Sequence, residues 1–234
     1  MAVIRSLNEK AELGYKVYND RIIYPDEWNE SITISRIDDP IWLQRYEYEA
    51  KLIHKICIEN KLNNILEFGS GPGVLGNIVS NKLKKINWTN IDKIGAKNEF
   101  EKRSHKGKFI VKDLMNQLDT TGLDSSYDLF IANDFLEHIA NPSSILTNSY
   151  DMSNNNSMFF VSVPNWRMGH EFIYRGLFDY DNFIYFMYVH GWEIINVYPS
   201  ELTTPDSPKL CSEESMPDEL TRSWNWYFLA KKRV

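Results

Sequence analysis

The chain has 234 residues, enough for one α/β domain with a full core and an accessory segment but short of two ordinary domains. Its net charge of -6, with Lys and Arg scattered along the chain, excludes the basic stripe of a nucleic-acid binder. The opening Met-Ala-Val-Ile-Arg-Ser-Leu-Asn-Glu-Lys lacks the apolar core of a signal peptide, and no run is long enough to span a bilayer, so no membrane contact and a cytoplasmic location are expected.

Residues 1–40 show no sustained period and mix aromatic with charged positions (Tyr15, Tyr18, Tyr24, Trp28), which reads as a cap of irregular and short helical pieces. Residues 41–234 read as the main domain. A helix opens with Asp39 as cap and Pro40 at its first position, and Trp42, Tyr46, Ile53, Ile56 and Cys57 share one face up to Asn60. From Asn64 short apolar strands alternate with helical stretches, the pattern of parallel βαβ units. Strands are predicted over 65–68, 88–91, 109–111, 127–132, 158–163, 192–198 and 224–230, and helices over 74–84, 95–104, 142–150 and 181–189. The run Asn154-Asn155-Asn156 reads as a turn ahead of a strand. Aromatic residues make up 14% of the chain; most are expected to fill the core and some to line a pocket. Cys57 and Cys211 have no paired metal-ligand spacing, so neither a metal site nor a disulfide framework is expected.

The chemistry concentrates where the first strand ends. In Ile65-Leu66-Glu67-Phe68-Gly69-Ser70-Gly71-Pro72-Gly73, three alternating glycines join a buried strand to a helix and allow close approach of backbone to a ligand. Gly71 to Gly76 also spells the G-x-G-x-x-G of dinucleotide enzymes. Two details favour a different nucleoside cofactor, S-adenosylmethionine (SAM). The strand runs straight into Gly69, and Glu67 sits two positions ahead, where a carboxylate suits the sulfonium and amino groups of SAM and repels a pyrophosphate. Asp92, at the end of the second strand, can accept both ribose hydroxyls, a feature shared with NAD enzymes.

These residues, with Asp113-Leu114 and the stretch Asp128 to Pro142, resemble the successive motifs of class I SAM-dependent methyltransferases over roughly 63–164. The resemblance implies a Rossmann-like, mostly parallel sheet of seven strands with an antiparallel last strand and helices on both faces. It also implies SAM across the ends of the first, second and fourth strands, with adenine held by Asp113 and Leu114. Taken alone, Asp113 reads as a helix cap. The stretch Asn133-Asp134-Phe135-Leu136-Glu137-His138 is similar to the ubiquinone-type small-molecule methyltransferases, which implies that Asn133 and Asp134 border the sulfonium and that His138 faces the acceptor. Capping of the next helix by Glu137 and His138 is the plainer alternative.

The same stretch lacks the Pro-Pro-aromatic signature of DNA amino methylation, and neither cysteine lies where a cytosine C5 methylase needs its thiolate. Between Pro164 and Gly176 an insertion carries Trp166, Phe172 and Tyr174 for stacking and Arg167, His170 and Arg175 as donors, with His170 also a reserve base to His138. It is expected either to enclose a small polar acceptor, such as a sugar or sugar phosphate, or to form a dimer contact or a structural corner. The function expected is methyl transfer to an oxygen of that acceptor, by a monomer or homodimer. A catalytically silent SAM-binding protein and an NAD-dependent oxidoreductase are the competing readings.

Overall fold

The computed structural model describes residues 16–18, 21–23, 38–115, 117–124, 126–165, 175–200, 223 and 225–234, with the backbone alone at 16–18, 21–23, 41, 175 and 176. Near the start, β1 (Lys16–Tyr18) pairs antiparallel with β2 (Arg21–Ile23), so extended chain stands where irregular and short helical pieces were expected. A pair of three-residue strands is too short to display a period.

Helix α1 (Pro40–Asn60) begins at its proline, and the Asp39 carbonyl accepts from Leu43 N–H at 2.9 Å. Ala50, Ile53, Ile56 and Cys57 are buried along one stripe. The helix stops at Lys61, whose φ of 56° turns the chain left-handed, and Leu62 N–H reaches back to the Cys57 carbonyl at 3.0 Å. This is the usual helix-ending turn, made with lysine in place of glycine.

The sheet is built from β3 (Asn64–Phe68), β4 (Asn87–Asp92), β5 (Lys108–Val111), β6 (Tyr127–Asn133), β7 (Ser153–Pro164), β8 (Trp192–Pro199) and β9 (Asn225–Lys232), in the order β5-β4-β3-β6-β7-β9-β8. Strands β3 to β7 are parallel, and β9 runs antiparallel to both of its neighbours, as the resemblance implied. Helices α2 (Val74–Lys82), α3 (Ile94–Lys102), α4 (Pro142–Asp151) and α5 (Tyr180–Val189) fall in the predicted places. The Asn154-Asn155-Asn156 run lies inside β7 rather than ahead of it. There it bulges between the pairs Tyr127↔Ser153 and Leu129↔Met158, with Asn156 N–H bonded to Asn154 Oδ1 at 2.8 Å.

Alternation along the strands sends successive side chains to opposite faces. Leu66, Phe130, Phe159 and Phe228 join α4, α5 and Trp192 on one face, whereas Ile65, Leu129, Phe160 and Tyr227 join α1 and α2 on the other. Rings dominate the first core: Phe68 stacks on Phe130 at 6.3 Å, Phe130 on Phe159 at 6.0 Å, and Phe159 meets Trp192 edge-on at 5.3 Å. Because the parallel strands all finish at one edge, Phe68, Asp92, Val111 and Asn133 end side by side. The turns that leave that edge make the site.

Candidate active site

The turn after β3 depends on its glycines. Gly69, Gly71 and Gly73 have φ of 63°, 53° and 73°, left-handed values that side chains resist. A Cβ on Gly69 would come within 2.1 Å of the Phe135 ring, and one on Gly73 within 2.7 Å of Phe100. Ser70 N–H donates to the Ile91 carbonyl at 3.2 Å, which ties the turn to β4. His105 holds the turn from outside, its Nδ1 lying 2.7 Å from the Pro72 carbonyl.

Asp92, at the tip of β4, accepts Gly71 N–H on Oδ2 and Lys93 N–H on Oδ1, both at 2.7 Å. A carboxylate at this tip is an acceptor only, the chemistry that a hydroxyl donor requires. Glu67 is buried, and its Oε2 accepts from the Trp88 indole at 2.9 Å. Burial pushes its carboxyl up to about 8, and the nearby Glu49 and Asp92 push the same way. The expected carboxylate is thus a neutral acid at pH 7 until a cation arrives. Asp113 is exposed, and its Oδ1 caps a local turn by accepting Met115 N–H at 2.9 Å. Leu114 is buried in the aromatic core.

The end of β6 carries a polar network that sequence reasoning largely missed. Asp134 is left-handed, with φ of 44°, and is held there from several sides. Its N–H donates to the Ser162 carbonyl at 3.1 Å, its Oδ1 accepts from the Ser162 hydroxyl at 2.8 Å and from Asn225 at 2.5 Å, and its Oδ2 pairs with Arg45. Arg45 Nε also donates to Glu49 Oε1 at 2.9 Å, and the guanidinium stands 5.0 Å from the Trp42 ring. Tyr227 and Asn133 donate to the same Glu49 carboxyl. Glu49 lies within the apolar stripe of α1, so a charge out of place was its visible signal. Asn225 and Tyr227 had none, because only the sheet order brings β9 here.

Beyond Asp134 a single 3-10 turn, Leu136–His138, carries two titratable groups of different exposure. Glu137 is fully buried, and burial pushes its carboxyl well above the usual range, with Asp134 adding to the shift. The His138 side chain is 22% exposed, its Nε2 3.7 Å from Glu137 Oε1. The next helix, α4, is capped by Asn141, whose side chain accepts from Ser144 N–H, so Glu137 and His138 do not cap it.

The methyltransferase-domain family model matches residues 41–201. The chain belongs to this family. Its cofactor is S-adenosylmethionine. A comparison with curated proteins by sequence finds no match. Among solved structures, the fold resembles a chain of the complex between the Haloferax volcanii Trm112 methyltransferase activator and a methyltransferase. The identity is 12% and the TM-score 0.62, over 89% of this chain and 96% of that one. A SAM-dependent methyltransferase from Clostridium acetobutylicum gives 13% identity and a TM-score of 0.61, over 89% and 100%. An O-methyltransferase family protein from Burkholderia thailandensis gives 8% and 0.57, over 89% and 59%.

The methyltransferase edge suits SAM chemically. Gly69 and Gly71 take left-handed backbone that leaves no side chain in the turn, Asp92 sets a carboxylate at the tip of β4, and Glu67 sets a second acid behind them. Of the acceptor-side residues anticipated from sequence, Trp166, Arg167, His170 and Tyr174 lie outside the described residues. Arg175 is described through its backbone, which opens a 3-10 turn, Arg175–Phe178. Among the described residues no group of His, Cys, Asp and Glu could hold a metal ion, and no helix is long and apolar enough to cross a membrane.

Proposed function

We propose that this methyltransferase moves the methyl group of SAM to an oxygen of a small or mid-sized polar acceptor, such as a sugar, with His138 as the base. The observation that carries this reading is the contrast between two neighbours on one turn. Glu137 is fully buried, and burial pushes its carboxyl well above the usual range. His138, part-exposed at the edge where β6 ends, is the imidazole nearest that edge on this turn, and an imidazole suits removal of a proton from a hydroxyl.

SAM supplies a methyl group already activated on a sulfonium. What remains for the protein is to hold the acceptor close and in line, and to remove its proton. Glu67, Gly69, Ser70, Gly71, Gly73 and Asp92 are the residues proposed to hold SAM at the tips of β3 and β4, with Asp113 and Leu114 at the adenine and Asn133 and Asp134 near the sulfonium. Chain leaving β7 at Pro164 departs from the same edge. Trp166, Arg167, Tyr174 and Arg175 are therefore proposed to line the acceptor pocket, with His170 as reserve base and residues 1–40 as the cap.

Single-turnover rates at saturating SAM, over a panel of hydroxyl and amine acceptors, test this reading. With a hydroxyl acceptor, His138→Ala should lower the rate by about 10² to 10⁴, the usual worth of a general base, with SAM affinity unchanged. An amine acceptor should suffer less, because a neutral amine can attack before losing its proton. A hydroxyl acceptor methylated at the normal rate by the variant removes His138 from the mechanism. Arg167→Ala and Arg175→Ala should each raise the acceptor KM, and unchanged values in both would place the pocket elsewhere.

A further inference from the structure

The Glu49 carboxyl is buried on α1 among donors from three elements. Its Oε1 accepts Arg45 Nε–H at 2.9 Å and the Tyr227 hydroxyl at 3.1 Å, and its Oε2 accepts Asn133 Nδ2–H at 3.2 Å. Two donors already stand on Oε1, and Oε2 takes the Asn133 amide nitrogen, so that the amide oxygen faces away from the helix. Asn133 Oδ1 is buried and has no hydrogen-bond partner among the described residues. A buried amide oxygen without a donor is costly, and native structures keep few of them. This one stands at the tip of β6, beside Asp134.

We propose that Glu49 is a positioning residue for the cofactor: acting through Asn133, it holds an amide oxygen ready to accept a hydrogen bond from the ammonium group of the methionine half of SAM. The proposal rests on the reading that SAM lies along this edge with its methionine half near β6. On that reading the adenine amino group lies toward the turn after β5, so the ammonium is the N–H donor the cofactor brings to β6. Two acids, Glu49 and Asp134, flank Asn133, and Arg45 is engaged by both.

Calorimetry with two probes tests it. S-adenosylhomocysteine carries the ammonium, and 5'-methylthioadenosine keeps adenine and ribose but lacks the amino-acid half. Glu49→Gln sets an amide NH₂ opposite Asn133 and turns the Asn133 amide round, so that a donor faces the ligand. Its affinity for S-adenosylhomocysteine should fall about ten- to a hundredfold, the worth of a hydrogen bond to a charged group, with affinity for methylthioadenosine within twofold of wild type. In an Asn133→Ala background the same substitution should cost nothing further. Equal losses for both probes, no loss for either, or a full loss that persists in the Asn133→Ala background would each overturn the proposal. Retained binding of methylthioadenosine shows that a variant is folded. If Glu49→Gln does not fold, Asn133→Ala alone should lose S-adenosylhomocysteine selectively, and unselective behaviour overturns the proposal. Wild-type protein that binds neither probe overturns the cofactor site itself, and the proposal with it.

Discussion

Glu67 shows how far the burial of one residue can change its chemistry. Its folded value of about 8 lies above the ordinary 4.5, so between those values the folded protein holds a proton that the unfolded chain has lost. The stability this group contributes is therefore full below pH 4.5, falls as pH rises, and levels off above about pH 8. A cationic ligand favours the ionised form, so SAM binding at pH 7 should release a proton. Calorimetry in buffers of different ionisation enthalpy should show that release, and Glu67→Gln should abolish it. A binding enthalpy independent of buffer would separate Glu67 from the cofactor. Asp92→Ala should weaken SAM by roughly 2 to 4 kcal/mol through lost ribose hydrogen bonds. Because Asp92 also holds Gly71 and Lys93, the variant should in addition speed amide exchange in the glycine turn. Unchanged affinity would count against the assignment. Gly69→Ala should destabilise by roughly 1–2 kcal/mol for the left-handed backbone alone, more once Phe135 is displaced, as chemical denaturation would show.

Among the elements, α1 meets the sheet through charge as well as through its apolar stripe. Arg45 bridges Glu49 and Asp134 with 14% of its side chain exposed, so Arg45→Met would leave two carboxyl groups without their cation. A loss of about 3–5 kcal/mol is expected, read from the urea midpoint, with little rescue by Arg45→Lys because a point charge cannot donate to both acids in one plane. An unchanged midpoint would mean that the pair contributes nothing net. Part of this was legible in advance. The helix and its stripe follow from spacing, and Glu49 is conspicuous as an acid beside Ala50 and one turn before Ile53. Its partners were not legible, since Tyr227 lies 178 positions away and its approach depends on strand order. The short pair β1 and β2 and the bulge at 154–156 escaped for a different reason. Both are too short or too irregular to imprint a repeat.

Over the whole molecule, the two cores share the central strands, and this should bind them into one cooperative unit. Amides of β3 and β6 should then exchange only through global unfolding, and a much lower protection on one side of the sheet would show that the cores open separately. The alternation of strands and helices was readable because buried parallel strands form short apolar runs. The antiparallel placement of β9 was not readable from residues and entered through family resemblance. Equally hidden was the raised pKa of Glu67, which comes from burial and prevails over the Trp88 indole hydrogen bond that favours the ionised form.

The position of β9 also bears on the order in which the protein is made. As the chain leaves the ribosome, β3 to β7 can pair successively with strands already present, but β9 must slip between β7 and β8 after both have been translated. It brings Asn225 to Asp134 and Tyr227 to Glu49. Until it docks, each of those two acids lacks a donor, and the edge of β7 with which β9 will pair stands open. A nascent chain halted before residue 225 could complete the glycine turn yet lack the finished β6 tip. Ribosome-bound intermediates of that length should therefore be good clients for chaperones and poor receivers of the cofactor.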